Sequence, residues 1–116
     1  MNQATQKTAR DMDQRARRTS IVNVTNEDYQ MSIEDRLVIW TGSGTNDKDI
    51  LLPPVAQAAG MIFSIIAELA DTAQVTVDDA GDDTYQTQAV LDVDKDSVTY
   101  YSNGVHWVVV ELIQGT

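Results

Sequence analysis

Asn103-Gly104 lies between two β-rich runs, Val98-Thr99-Tyr100-Tyr101 and Val105 to Ile113. This dipeptide accepts left-handed backbone at both positions, which makes it the strongest short-range hairpin signal. A two-residue turn there sets Ser102 opposite Val105 and Tyr100 opposite Trp107. Val98, Tyr100, Trp107 and Val109 then share one face, which is assigned to the core. His106 falls on the other face, beside Tyr101.

Other apolar runs are short and bounded by turn residues, as strands are. They are Ile21-Val22 with Val24, Leu37 to Trp40, Asp49 to Leu52, Gln74 to Val77 and Thr84 to Val90. Thr41 to Asp47 reads as a loop, and Asp78 to Asp83 and Asp92 to Asp96 as acidic turns. Pro53-Pro54 stops a strand because proline cannot donate to a ladder. Val55 to Ala59 fits one helical turn after proline, ended by Gly60. Periodicity leaves Met61 to Ala67 open between helix and strand, and its isoleucines and phenylalanine favour strand. The expected fold is all-β: a small antiparallel β-sandwich or barrel with one short helical turn. Trp40, Pro53, Gly60, Tyr100, Gly104 and Trp107 are its expected structural core.

The chain divides into a basic arm, 1–19, and an acidic β domain, 20–116. Lys7, Arg10, Arg15, Arg17 and Arg18 stand against Asp11 and Asp13, a net of +3. The remainder carries three basic and sixteen acidic residues, a net of −13. The arm reads either as a frayed terminus or as a flexible or helical segment that orders on a partner. An acidic body repels phosphate, so no nucleic-acid partner is expected. No secretory signal is read, and Met61 to Ala70, broken by Ser64 and Glu68, is too short to cross a bilayer. Synthesis in a cytoplasm and no membrane partner are expected, and Asn23-Val24-Thr25 is a chance match to the glycosylation pattern.

At 116 residues, with no cysteine and one histidine, the chain excludes thiol catalysis, cysteine zinc sites and any site needing two imidazoles. Asp92-x-Asp94-x-Asp96 begins like a calcium loop, but Ser97 and Asn103 occupy the positions that need glycine and glutamate. Asp78 and Asp82 are further weak calcium ligands, and solvated acidic turns are the favoured reading. Carboxylate pairs arise by chance among so many acids and do not point to a glycosidase. Gly42-Ser43-Gly44 is neither a phosphate loop nor a nucleophile elbow, since Asp47 precedes Lys48 and the spacing is wrong. His106, beside Trp107, is read as structural. No enzyme activity, cofactor or metal is expected.

A wider pattern joins these pieces. Asp35 precedes Leu37-Val38-Ile39; Ile50-Leu51-Leu52-Pro53-Pro54, Ala58-Ala59-Gly60 and Phe63-x-Ile65 follow. Val75-Thr76-Val77-Asp78 and Val98-Thr99-Tyr100-Tyr101-Ser102-Asn103-Gly104-x-x-Trp107 close it. Over residues 28–112 this resembles the module of tailed-phage virion decoration proteins, the capsid cement and head-fibre proteins. Met61 departs from the polar residue expected there.

The resemblance implies a structural viral protein, a homotrimer on the outer surface of a bacteriophage head. The major capsid protein would be its partner, with the arm residues Lys7, Arg10, Arg15, Arg17 and Arg18 as the capsid contact. The alternative it implies is a head-fibre or tail-appendage module that binds a receptor or glycan, with Tyr29 and Tyr85 as exposed aromatics.

Overall fold

The computed structural model describes residues 20–85 and 88–115. Among them are nine strands: β1 Ile21–Thr25, β2 Tyr29–Gln30, β3 Leu37–Gly42, β4 Asp47–Leu51, β5 Ile62–Leu69, β6 Gln74–Asp78, β7 Ala89–Leu91, β8 Ser97–Ser102 and β9 Trp107–Ile113. The fold is all-β, in two mixed sheets. One sheet has the order β1-β3-β5-β8-β9 and the other β2-β4-β6-β7.

The expected antiparallel pattern is corrected. β1, β3 and β5 are parallel, as are β2, β4 and β6. Each circuit of the chain leaves one strand on each sheet, so neighbours in a sheet run the same way. Only the last part reverses: β7 is antiparallel to β6, β8 to β5, and β9 to β8. Local runs of β-branched residues specify strands but not which strand lies alongside, so the sequence left this order unread.

The circuits are tied at one corner by side chains from successive turns. Asn26, with φ 54°, accepts the Ser43 N–H on Oδ1 at 2.9 Å and donates to Ser43 Oγ at 3.2 Å. Asp71, with φ 60°, accepts the Gly44 N–H at 3.0 Å. Asn and Asp tolerate this backbone because their short polar side chains bond locally.

Both sheets contribute to one core, which includes Val38, Trp40, Phe63, Ile65 and Tyr100 from the five-stranded sheet and Ile50, Val75, Val77 and Leu91 from the other. Inward residues alternate along β5, β6 and β8, as a pleat requires. Met61 to Ala67 is indeed strand from Ile62 on, released by Gly60 at φ 80°. The residues after Pro53-Pro54 form a turn and not a helix: Gln57 and Ala58 both donate to Pro54 O, at 3.1 and 3.2 Å. Thr84 and Tyr85 lie outside any strand, and the strand expected from Thr84 is confined to Ala89–Leu91. Gly42, read as loop, belongs to β3.

The hairpin is also corrected. Its loop spans Asn103 to His106, with Ser102 opposite Trp107 and Tyr100 opposite Val109. Asn103 Oδ1 accepts the N–H groups of Val105 and His106 at 2.9 and 2.7 Å, which stabilises the longer turn. The slip is two residues on the opposing strand, so Tyr100 and Trp107 keep their inward face. Val109 shares the inward face with Tyr100 but is 45% exposed.

Candidate functional site

The outer face of the four-stranded sheet carries Asp47, Asp49, Gln74, Thr76 and Asp78, beside Leu51 and the exposed Val90. The outer face of the five-stranded sheet is mixed: Ile39 is aligned with Ile66, and Ile62 with Tyr101 and Val108, but Asn23, Thr41, Ser64, Glu68 and Thr99 share that face. Ile62 is 50% exposed.

One edge of this sheet is β9. After Trp107 every residue of β9 is exposed, on both faces. Val108, Val109, Val110, Leu112 and Ile113 are its apolar residues, and Glu111 is its sole charge. Long, apolar edges offer unpaired N–H and C=O groups to another strand, and proteins normally blunt them with lysine, proline or shortness. β2 and β7, the edges of the other sheet, are short: two and three residues. β9 has seven residues and neither lysine nor proline; its one device is the register shift opposite Thr99 and Tyr100. The other edge, β1, carries no charge.

An anchored polar cluster holds the start of β9. Asp83, whose side chain is fully buried, accepts the Trp107 N–H at 2.6 Å and meets His106 Nδ1 at 2.9 Å. Tyr85 stacks edge-on against His106, centroids 3.9 Å apart. His106 therefore sits in the loop against Asp83, not on a strand beside Tyr101. Neighbouring Asp82 accepts the Val55 N–H at 2.8 Å. Trp107 packs edge-on against Phe63 and Tyr100, and its indole N–H is buried without a hydrogen-bond partner.

A shallow cleft of about 320 Å³ lies at β2 and β4, lined by Asp28, Tyr29, Gln30, Asp49 and Leu51. Asp28 is engaged by the Asp49 N–H at 2.8 Å. The Tyr29 hydroxyl donates to Asp35 at 2.7 Å, and burial together with that carboxylate pushes Tyr29 up to about 12.

The calcium candidates are not brought together: among the described residues no three carboxylate or imidazole groups converge on a cation site. The Asp78 carboxylate accepts its neighbour's N–H, and Asp94 that of Leu69. Asp96, buried, closes the turn at Asp92 by accepting the Asp92 and Val93 N–H groups. The expected core residues Trp40, Tyr100 and Trp107 are buried, as is Pro53. Gly60 is exposed and Gly104 partly so; both serve turns, at φ 80° and 91°, and neither is core. Tyr85 is 64% exposed, whereas Tyr29 is half-buried. Lys7, Arg10, Arg15, Arg17 and Arg18 lie outside the described residues. No helix among the described residues is long and apolar enough to cross a membrane. The apolar edge was readable only as a hairpin arm, because exposure depends on where the second sheet ends.

Compared with protein families, curated proteins and solved structures, the chain matches none.

Proposed function

We propose that this chain is a structural decoration protein of a bacteriophage head, a β-sandwich that assembles as a homotrimer on the outer capsid surface and stabilises it. The observation that supports the reading best is β9, an exposed edge strand with five apolar residues and one charge, where the edges of the other sheet are two and three residues long. A small acidic domain with one apolar edge offers that edge to a protein partner. The major capsid protein is the partner, and the +3 segment of residues 1–19 is the clamp. Three copies joined in one particle multiply a weak single contact. The role requires no catalysis, cofactor, nucleic acid or membrane.

The test is occupancy of heads that lack the protein. Full-length protein should fill them, and a form without residues 1–19 should fold but fail to bind. Full occupancy by the truncated form contradicts the clamp.

A second reading is a head-fibre or tail-appendage module that binds a receptor glycan. It is favoured by the cleft at Asp28, Tyr29, Gln30 and Asp49, which offers an aromatic ring beside hydrogen-bonding groups. A glycan array hit abolished by Asp49→Ala would support it over decoration.

A further inference from the structure

We infer that the cleft at β2 and β4 binds a guanidinium group, the side chain of an arginine on a partner protein. This site is independent of the decoration reading, since it concerns what the cleft accepts and not where the protein sits. Asp28, Tyr29, Gln30, Asp49 and Leu51 line it. Each side-chain donor of that lining is already used. The Tyr29 hydroxyl donates to Asp35 Oδ2 at 2.7 Å. Gln30 Nε2 donates to Met31 O at 2.9 Å and Leu52 O at 3.1 Å. Those carbonyls fix the amide, so Gln30 Oε1 is left as an acceptor. The Asp49 N–H donates to Asp28 Oδ1 at 2.8 Å. What remains is a set of acceptors: Asp28 Oδ2, the Asp49 carboxylate and Gln30 Oε1. None of them is hydrogen-bonded among the described residues.

A ligand that fits this set donates several times and accepts nowhere, and two carboxylates call for a positive charge. The described cations do not supply it. Lys48 stands between Asp47 and Asp49 on β4, and alternation turns it to the opposite face, with Ile50. Arg36 lies over the Phe63 ring, and Lys95 pairs with Glu68 at 3.2 Å. Residues 20–116 carry three basic and sixteen acidic residues, so the body draws a cation from solution. A metal ion is a poor match, because no three carboxylate or imidazole groups converge among the described residues. Calcium takes about six to eight oxygens. Arginine suits the cleft better than lysine does. Its planar, weakly hydrated head forks onto carboxylates and stacks on a ring such as Tyr29, and its stem covers apolar surface such as Leu51.

The test is an NMR titration of the isotope-labelled full-length chain with N-acetyl-arginine methylamide, beside its lysine and citrulline counterparts. Citrulline keeps the shape of arginine and replaces its charge with a neutral urea. Arginine should shift the amides of residues 28–30 and 49–51 in the millimolar range, and lysine should do so more weakly. Citrulline should bind at least about tenfold more weakly than arginine, since both charge contacts are lost. Asp49 is exposed and its carboxylate makes no bond in the described fold. Asp49→Asn should therefore keep the thermal melt and weaken arginine several-fold. Equal shifts at Asp92 to Asp96 mean loose counterion binding and overturn the inference. So do citrulline or lysine binding as tightly as arginine, an unweakened Asp49→Asn, and calcium chloride shifting the cleft at lower concentration. A neutral glycan that shifts the cleft where arginine does not overturns it too, and supports the receptor reading instead. The chain's own basic segment is the remaining occupant to separate. Replacing Lys7, Arg10, Arg15, Arg17 and Arg18 by glutamine should leave arginine binding unchanged; tighter binding by that variant means the segment held the cleft, and overturns a partner's arginine.

Discussion

Gly42 shows how one residue fixes the packing of the largest core side chain. A Cβ at position 42 would overlap the Trp40 ring, and the Ala73 side chain lies 3.0 Å from the same point. Trp40 cannot move aside cheaply: its indole N–H donates to Glu27 O at 2.8 Å and the ring is fully buried. Gly42→Ala should destabilise by about 1–3 kcal/mol or more, read as a fall in the urea midpoint. Tyr29 gives a second test. Its folded value of about 12 stands above the ordinary 10.0. The unfolded chain sheds that proton first, so the stability it confers is whole below pH 10 and is lost as pH rises toward 12. Tyr29→Phe should flatten the alkaline fall in denaturation midpoint; Tyr100, raised by burial and then by Asp78, leaves part of the slope in place. Trp40 as core was legible from its apolar run, but the glycine beneath it was not. Only the parallel stacking of β3 on β5 and the inward turn of the ring decide what position 42 touches.

Asp83 is the fastening between the acidic turn and the hairpin. Its carboxylate accepts a backbone N–H and meets an imidazole from within a buried setting. Asp83→Ala leaves the Trp107 N–H without its acceptor and should cost about 1–3 kcal/mol. Proteolysis at the hairpin loop, followed by mass spectrometry, should quicken in step. Trp107→Phe keeps the ring contacts with Phe63 and Tyr100 and removes a buried donor that has no partner. It should therefore cost far less than Trp107→Ala, for which about 3–5 kcal/mol is expected in a thermal melt. Nearly every strand was legible in the sequence, because turn residues bracket β-branched runs. β2 was not: two residues long, it carries no periodicity and is specified by its pairing with Ile50 and Leu51. The Asn103-Gly104 signal found the hairpin but missed its length, because Asn103 caps a four-residue loop with its side chain. The Asp83–His106 contact spans 23 residues and left no local signature.

The described residues form a coil of three circuits closed by an antiparallel hairpin. Among the described strands β9 pairs with β8 alone, and its apolar residues after Trp107 are exposed. The acidic body repels separate particles, and the two edges of the five-stranded sheet carry one charge between them, Glu111. A lysine in mid-edge is the device that natural edges use against pairing. Val110, 58% exposed and at the register shift, is the position for it. Its side chain is outside the core, so Val110→Lys should leave the melting temperature of the fold within a few degrees. The most direct test of the account is the solution mass by light scattering of the full-length chain beside Val110→Lys. The account predicts about three times the 12.8 kDa chain mass for the first and one chain mass for the second. A single-chain mass for the unaltered protein, or an unchanged three-chain mass for the lysine variant, would contradict it.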